Sequence, residues 1–260
     1  MSPTPTIAFV TLATSRYLEF VAPLLASCRQ HFLTDCAVTP IVLTDRTDAV
    51  SVESHRIEHL PWPGVTLRKF GALERIHARL SQFDYVYLCD VDMRFDAPVG
   101  REVLGDLVAV QHPGFFDRSV SEFSYERRTA SRACIPQGRG RRYYCAAFLG
   151  GRSTGFLDAC AEIQTGVDAD SARGIVAVWH DESHWNHYLV DHPPTVDLPP
   201  SYCYPEGWTL PFPPRLVALE KDHVTMRYGW LRGLAAKAGR KLRHHVRIVL
   251  RRLAATIRRN

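Results

Sequence analysis

Tyr85-Val86-Tyr87-Leu88-Cys89-Asp90-Val91-Asp92 is a short apolar run that stops at an acidic triplet. Five consecutive apolar residues without polar alternation suit a strand buried on both faces, as strands of a parallel sheet are. Two earlier segments read the same way: Thr6 to Leu12, and Pro40-Ile41-Val42-Leu43-Thr44-Asp45. Between them, Leu18, Val21, Leu24, Leu25 and Cys28 recur at helical spacing within residues 17–32, and residues 68–83 read as a second helix. Strand, helix, strand, helix, strand with buried strands predicts an α/β sheet that is at least partly parallel. Ligands of such sheets bind beyond the carboxyl ends of the strands, which is where Asp45 and Asp90 fall. After residue 110 the pattern turns irregular, and this half is expected to build the acceptor side of a cleft.

Alternate side chains of an extended segment project to one side, so Asp90 and Asp92 can address one point. Hard divalent cations take oxygen ligands and commonly bridge one or two carboxylates to phosphates. The triplet alone reads equally as a solvated turn capping a strand. In Trp179-His180-Asp181-Glu182-Ser183-His184-Trp185, the apolar members have helical spacing and the carboxylates sit where a first helical turn favours negative charge. His180 and His184 do not follow the order of the zinc-protease helix motif, which argues against a zinc hydrolase. Tyr143 to Gly151 mixes aromatic with small residues; it suits either close packing or a pocket for a sugar ring.

Composition sets the remaining bounds. The chain has 260 residues, 46% of them hydrophobic, enough for a substantial core, and is read as one domain over 1–227 with an appendage over 228–260. The net charge of +5 hides an asymmetry. Residues 228–260 hold ten of the 32 Lys and Arg and none of the 27 Asp and Glu, leaving the preceding chain at −5. In that tail Leu231, Leu234, Ala238, Leu242, Val249, Leu253 and Ile257 form an apolar stripe with basic flanks, the pattern of a basic amphipathic helix for an anionic membrane surface. No aromatic residues interleave its arginines, and the acidic body argues against nucleic acid. Seven cysteines, odd in number and without a CxxC pair, are read as reduced thiols. No apolar run approaches a membrane span and the N-terminus lacks a signal-peptide layout, so the expected location is cytoplasmic, with peripheral contact at the inner membrane through the tail.

Taken in order, Thr44-Asp45, Asp90-Val91-Asp92, His112-Pro113-Gly114-Phe115, Tyr125-Glu126-Arg127-Arg128, Ile135-Pro136, Tyr143-Tyr144 with Gly150-Gly151, and Trp179 to His184 resemble glycosyltransferase family 6. This group contains the histo-blood-group A and B transferases and the α-1,3-galactosyltransferases. The resemblance spans roughly residues 6–227. It implies a GT-A fold, a Rossmann-like mixed sheet flanked by helices. It also implies a UDP-sugar donor, Mn²⁺ or another divalent cation, and retaining α transfer to the 3-hydroxyl of a galactose-type acceptor, free or as a lipid-linked glycan.

By the same resemblance, Asp90 and Asp92 hold the metal and diphosphate, and Glu182 is the catalytic carboxylate, acting as nucleophile or as electrostatic support. Leu12, Ala13, Tyr17, Arg68, Cys145, Ala146, Ala147, Asp181, Lys221 and Arg227 face the donor. His112, Ser124, Glu126, Trp179 and Glu206 face the acceptor. Cys145 and Ala147 set donor choice, with galactose favoured over N-acetylgalactosamine. Tyr204-Pro205 stands where the family usually has Trp-Asp. The aspartates without a membrane anchor resemble a bacterial member that keeps a metal site. A cleft that binds carbohydrate or nucleotide-sugar without turnover is the alternative.

Overall fold

A computed structural model describes residues 3–221 of the chain, which divides into units ending and beginning at Glu220 and Lys221. The expectations placed on Arg227 and on the 228–260 tail lie outside the described residues.

The first unit is built on seven strands: β1 (Thr6–Leu12), β2 (Ala37–Thr44), β3 (Glu53–Arg56), β4 (Tyr85–Cys89), β6 (Val108–Gln111), β7 (Tyr144–Arg152) and β8 (Val196–Leu198), in the order β3-β2-β1-β4-β7-β6-β8. A small second sheet joins β5 (Met93–Phe95), β9 (Tyr204–Pro205) and β10 (Leu216–Ala218). The first four strands of the large sheet are mutually parallel; β7 runs antiparallel to both β4 and β6. This is the mixed α/β arrangement expected of a GT-A fold.

The three apolar runs are strands because both of their faces are covered. Along β1, Ile7 and Phe9 enter one core with Leu24 and Cys28 of α1 (Val21–His31). Ala8 and Val10 enter a second core, with Phe70 of α3 (Lys69–Glu74), Phe156 of α5 (Ser153–Ser171) and Trp185 of α6 (His180–Asp191). Gly150 and Gly151 of β7 are needed for packing: a Cβ at Gly150 would stand 2.5 Å from the Val86 carbonyl oxygen, and one at Gly151 2.2 Å from that of Asp106. All seven cysteines are free.

Two predicted helices are shorter than their periodicity. Residues 15–20 form a 3-10 turn and α1 begins only at Val21, because Pro23, which has no N–H to donate, is tolerated only in a first turn. The segment 68–83 is divided into α3 and α4 (His77–Leu80), after the short α2 (Gly64–Leu67). Ile76 leaves helical geometry between them, with φ −119° and ψ 22°. The break accompanies a tertiary contact: Arg79 of α4 reaches both carboxylate oxygens of Glu53 in β3, at 3.0 and 2.9 Å, and stacks on Phe83.

Candidate active site

Three chain directions converge at one rim of the sheet. β4 ends at Asp90, whose N–H donates to the Ala147 carbonyl at 2.7 Å, so the acidic triplet is zipped to the start of the reversed strand β7. The first turn of α6 then delivers Asp181 and Glu182 to the same place. Its first residue, His180, has φ +53°, a left-handed conformation uncommon outside glycine and asparagine-like residues, and its ring packs edge-on against Trp62 at 4.8 Å. Ser183 turns back to accept the Trp179 N–H, and Glu182 N–H donates to the Trp179 carbonyl. The turn is therefore fixed by its own hydrogen bonds.

The centre of the cluster is a residue that the sequence reading passes over. Lys69 is buried, and its Nζ lies 2.5 Å from Asp181 Oδ2, 2.6 Å from the Ala146 carbonyl oxygen and 3.5 Å from Asp90 Oδ1. Burial pulls the Lys69 ammonium down, but the two carboxylates outweigh it and hold the group above the ordinary lysine value. Burial pushes the Asp181 carboxyl up against the pull of Lys69. The neighbouring Arg68 turns outward to Asp168, 2.5 Å away on the surface. The cation brought into the carboxylate cluster is Lys69. Helical phase carries the signal, since Lys69 shares a face with the buried Ala72 and Leu73, three and four residues on.

Glu182 accepts from the Tyr143 hydroxyl at 2.9 Å and from the Ala146 N–H at 3.3 Å. Burial, reinforced by Asp181, pushes its carboxyl up to about 8 despite these donors. One peptide unit on each side of Ala146 is consequently held between the lysine and the glutamate. Asn186, one turn after Glu182, fixes the helix to β7 by accepting the Tyr144 N–H and donating to the Tyr144 carbonyl. Tyr143 and Asn186 carry structural roles that the motif alone did not reveal.

Of the residues expected to face the donor, Leu12 ends β1 and Ala13 follows it, with the Ala13 N–H on the Leu43 carbonyl and the Ser15 N–H on Asp45. Tyr17 packs partly buried against the core, and Asp92 is buried. Cys145 and Ala147 project to one face of β7, where Cys145 packs against the Cys203 thiol and Ala147 is half-buried; Ala146 belongs to the opposite face. Lys221 is the last described residue.

Of the residues expected to face the acceptor, His112 is held by the Gly114 N–H on its Nδ1 at 3.0 Å, and burial brings its ring down to about 4, so it is neutral near pH 7. Ser124 is half-buried and Trp179 exposed. Glu126 accepts four donors, three from Arg128 and one from the Val178 N–H, and the Arg128 bonds hold it down at about 2. It thereby anchors the irregular segment that leads into Trp179, beside a cavity of about 590 Å³ that also touches His180. Glu206 stands apart, bridging Arg94 of β5 and the Glu220 N–H. The buried His184 faces Asp170, which accepts from the Ser131 hydroxyl and the Arg132 N–H.

The sequence profile of Glycosyltransferase family 6 matches residues 3–233. The chain belongs to glycosyltransferase family 6. It is 32% identical over 239 residues to globoside alpha-1,3-N-acetylgalactosaminyltransferase 1 of Gallus gallus, covering 86% of this chain and 68% of that one. Histo-blood group ABO system transferase 2 of Rattus norvegicus is 34% identical over 238 residues, covering 85% and 71%. Alpha-1,3-galactosyltransferase 2 of Homo sapiens is 31% identical over 215 residues, covering 76% and 62%. Within this family the chain is a glycosyltransferase, and the carboxylate cluster around Lys69 is its candidate active site.

Proposed function

We propose that this family 6 enzyme moves galactose or N-acetylgalactosamine from UDP to the 3-hydroxyl of a galactose-type acceptor, keeping the α configuration, at the cluster formed by Asp90, Asp181, Glu182 and Lys69. The observation that carries the reading is the pairing of two unlike carboxylates on one helical turn. Asp181 is clamped by Lys69, whereas Glu182 is held by a tyrosine hydroxyl and a peptide N–H.

Such a pair divides the work. The clamped Asp181 is placed to accept hydroxyl donors of the incoming sugar ring. Glu182 answers the positive charge that grows at the anomeric carbon, and that charge itself favours the ionised form of a carboxyl otherwise raised to about 8. Tyr143 keeps the Glu182 side chain aimed as the charge changes.

Asp90, half-exposed, and Asp92, buried two residues on, offer oxygen donors just after the end of one strand. Among the described residues no group of three or more His, Cys, Asp or Glu is arranged to hold a metal, and two carboxylates suit a cation that also takes diphosphate oxygens. A bound Mn²⁺ or Mg²⁺ would supply stabilisation of the negative charge on the departing diphosphate. Cys145 and Ala147, sharing one face of β7, are the side chains proposed to choose between galactose and its N-acetylated form. The family match and the intact carboxylate set favour turnover over a binding-only cleft.

The test is incubation of the full chain with Mn²⁺, a panel of UDP-sugars and β-galactoside acceptors, with product linkage determined. Transfer from UDP-galactose or UDP-N-acetylgalactosamine in an α-1,3 linkage is expected. Folded protein that neither transfers nor hydrolyses any donor would refute the assignment.

A further inference from the structure

A second cavity, of about 550 Å³, is lined by Tyr144 at the start of β7 and by Asn186 of α6. One wall is the loop Gly138-Arg139-Gly140-Arg141-Arg142; the other is the end of α6 and the turn after it, with Leu189, Pro193 and Pro194. The loop is firmly built. Gly140 has φ +84°, and a Cβ there would stand 2.6 Å from the Tyr125 hydroxyl, which itself donates to the Arg142 carbonyl at 2.6 Å.

Two of the three arginines are tied across the mouth: Arg139 to Asp191 at 2.5 Å, and Arg142 to Asp197 at 3.1 Å. Arg141, between them, has no ion-pair partner among the described residues. The cavity therefore carries one uncompensated guanidinium. A carboxylate or phosphate fits that fork bidentately, and the proline and leucine wall fits the C–H face of a sugar ring. A neutral sugar would leave Arg141 unused; a bare anion would leave the apolar wall unused. Tyr125 lines both this cavity and the one beside Glu126 and His180, so the two are neighbours on the fold.

We infer that this cavity is a distal carbohydrate site for an acidic saccharide unit, bearing a carboxylate or a phosphate, of the acceptor glycan. The inference rests on the reading of the enzyme as one that acts on glycans. Titration calorimetry with the full chain tests it, using a glucuronic-acid disaccharide, glucose 1-phosphate, a matched neutral disaccharide and inorganic phosphate. At least one acidic saccharide is expected to bind and the neutral one not; which of the two binds identifies the anionic group. Arg141→Glu should weaken that binding about tenfold or more while thermal stability and donor hydrolysis stay unchanged. Because Arg141→Glu keeps the basic 228–260 segment, equal affinity in the variant would locate the binding elsewhere and overturn the site. Inorganic phosphate binding as tightly as the saccharides would overturn the saccharide class. Should the glutamate variant fold poorly, Arg141→Gln gives the same readout. Wild-type protein that hydrolyses no donor yet binds the acidic saccharide through Arg141 would sink the transfer reading and leave this site standing.

Discussion

Lys69 is the side chain on which the active-site electrostatics turn, because it is buried between Asp181 and Asp90. Replacing it with methionine leaves Asp181 buried and unpaired, a change that typically costs about 3–5 kcal/mol. Chemical denaturation of Lys69→Met at neutral pH should show that loss. Part of it should return on acidification, since protonation removes the unpaired charge; an equal deficit at all pH values would contradict the clamp. Glu182 has the opposite sign. Its folded value, about 8, lies above the unfolded one of about 4.5, so the folded state binds the proton more tightly and stability falls as pH rises between them. Glu182→Gln should therefore stabilise the fold at pH 8, by on the order of a few kcal/mol, and little at pH 4. The same variant should keep UDP binding and lose transfer; full activity would remove Glu182 from the chemistry. In the wild type, kcat/KM, which reports the ionisations of the free enzyme, should rise with pH along a limb near pH 8, because the Glu182 carboxylate is the working form.

Elements explain why some of this was legible in the chain and some was not. The strands β1, β2 and β4 were readable because parallel strands covered on both faces are uniformly apolar, and their ends gave the rim at Asp45 and Asp90. Helix limits were less legible: the periodicity of 17–32 and 68–83 continues through residues whose backbone is set by Pro23 and by the Arg79–Glu53 contact. Lys69 carries no motif of its own, and only its helical phase with Ala72 and Leu73 marks it as inward-facing. Glu126 could not be read as an anchor, since its four donors come from a neighbour two residues away and from a backbone 52 residues on. Gly150 belongs to this scale as well. An alanine there must displace either its own strand or the Val86 carbonyl of β4, so Gly150→Ala should cost about 1–3 kcal/mol or more by thermal melting. A variant as stable as the wild type would mean that β4 and β7 are not so closely apposed.

Across the whole molecule, charge is divided rather than spread: the −5 body carries the carboxylate cluster, and the ten cations of residues 228–260 are separate in sequence. No helix among the described residues is long and apolar enough to cross a membrane. Flotation with anionic liposomes should accordingly depend on the tail, with full-length protein floating and a chain ended at Tyr228 remaining below; each basic group near such a surface contributes about 1 kcal/mol. Equal flotation would remove the membrane role. Chelation belongs here too, because it addresses the protein with its donor and not one residue: EDTA should abolish transfer and Mn²⁺ restore it. Unchanged activity would count against the part given to Asp90 and Asp92.

The single reversed strand has a consequence for how this enzyme can diversify. Cys145 and Ala147 face one way and Ala146 the other because β7 alternates, and β7 is zipped on one edge to β4 and on the other to β6. Inserting or deleting one residue before Phe148 would exchange the two faces, sending the present inner wall outward and breaking both zippers together. Lineages descending from this chain are thus free to explore new sugars by exchanging side chains at fixed positions, but not by changing the length of the strand that presents them.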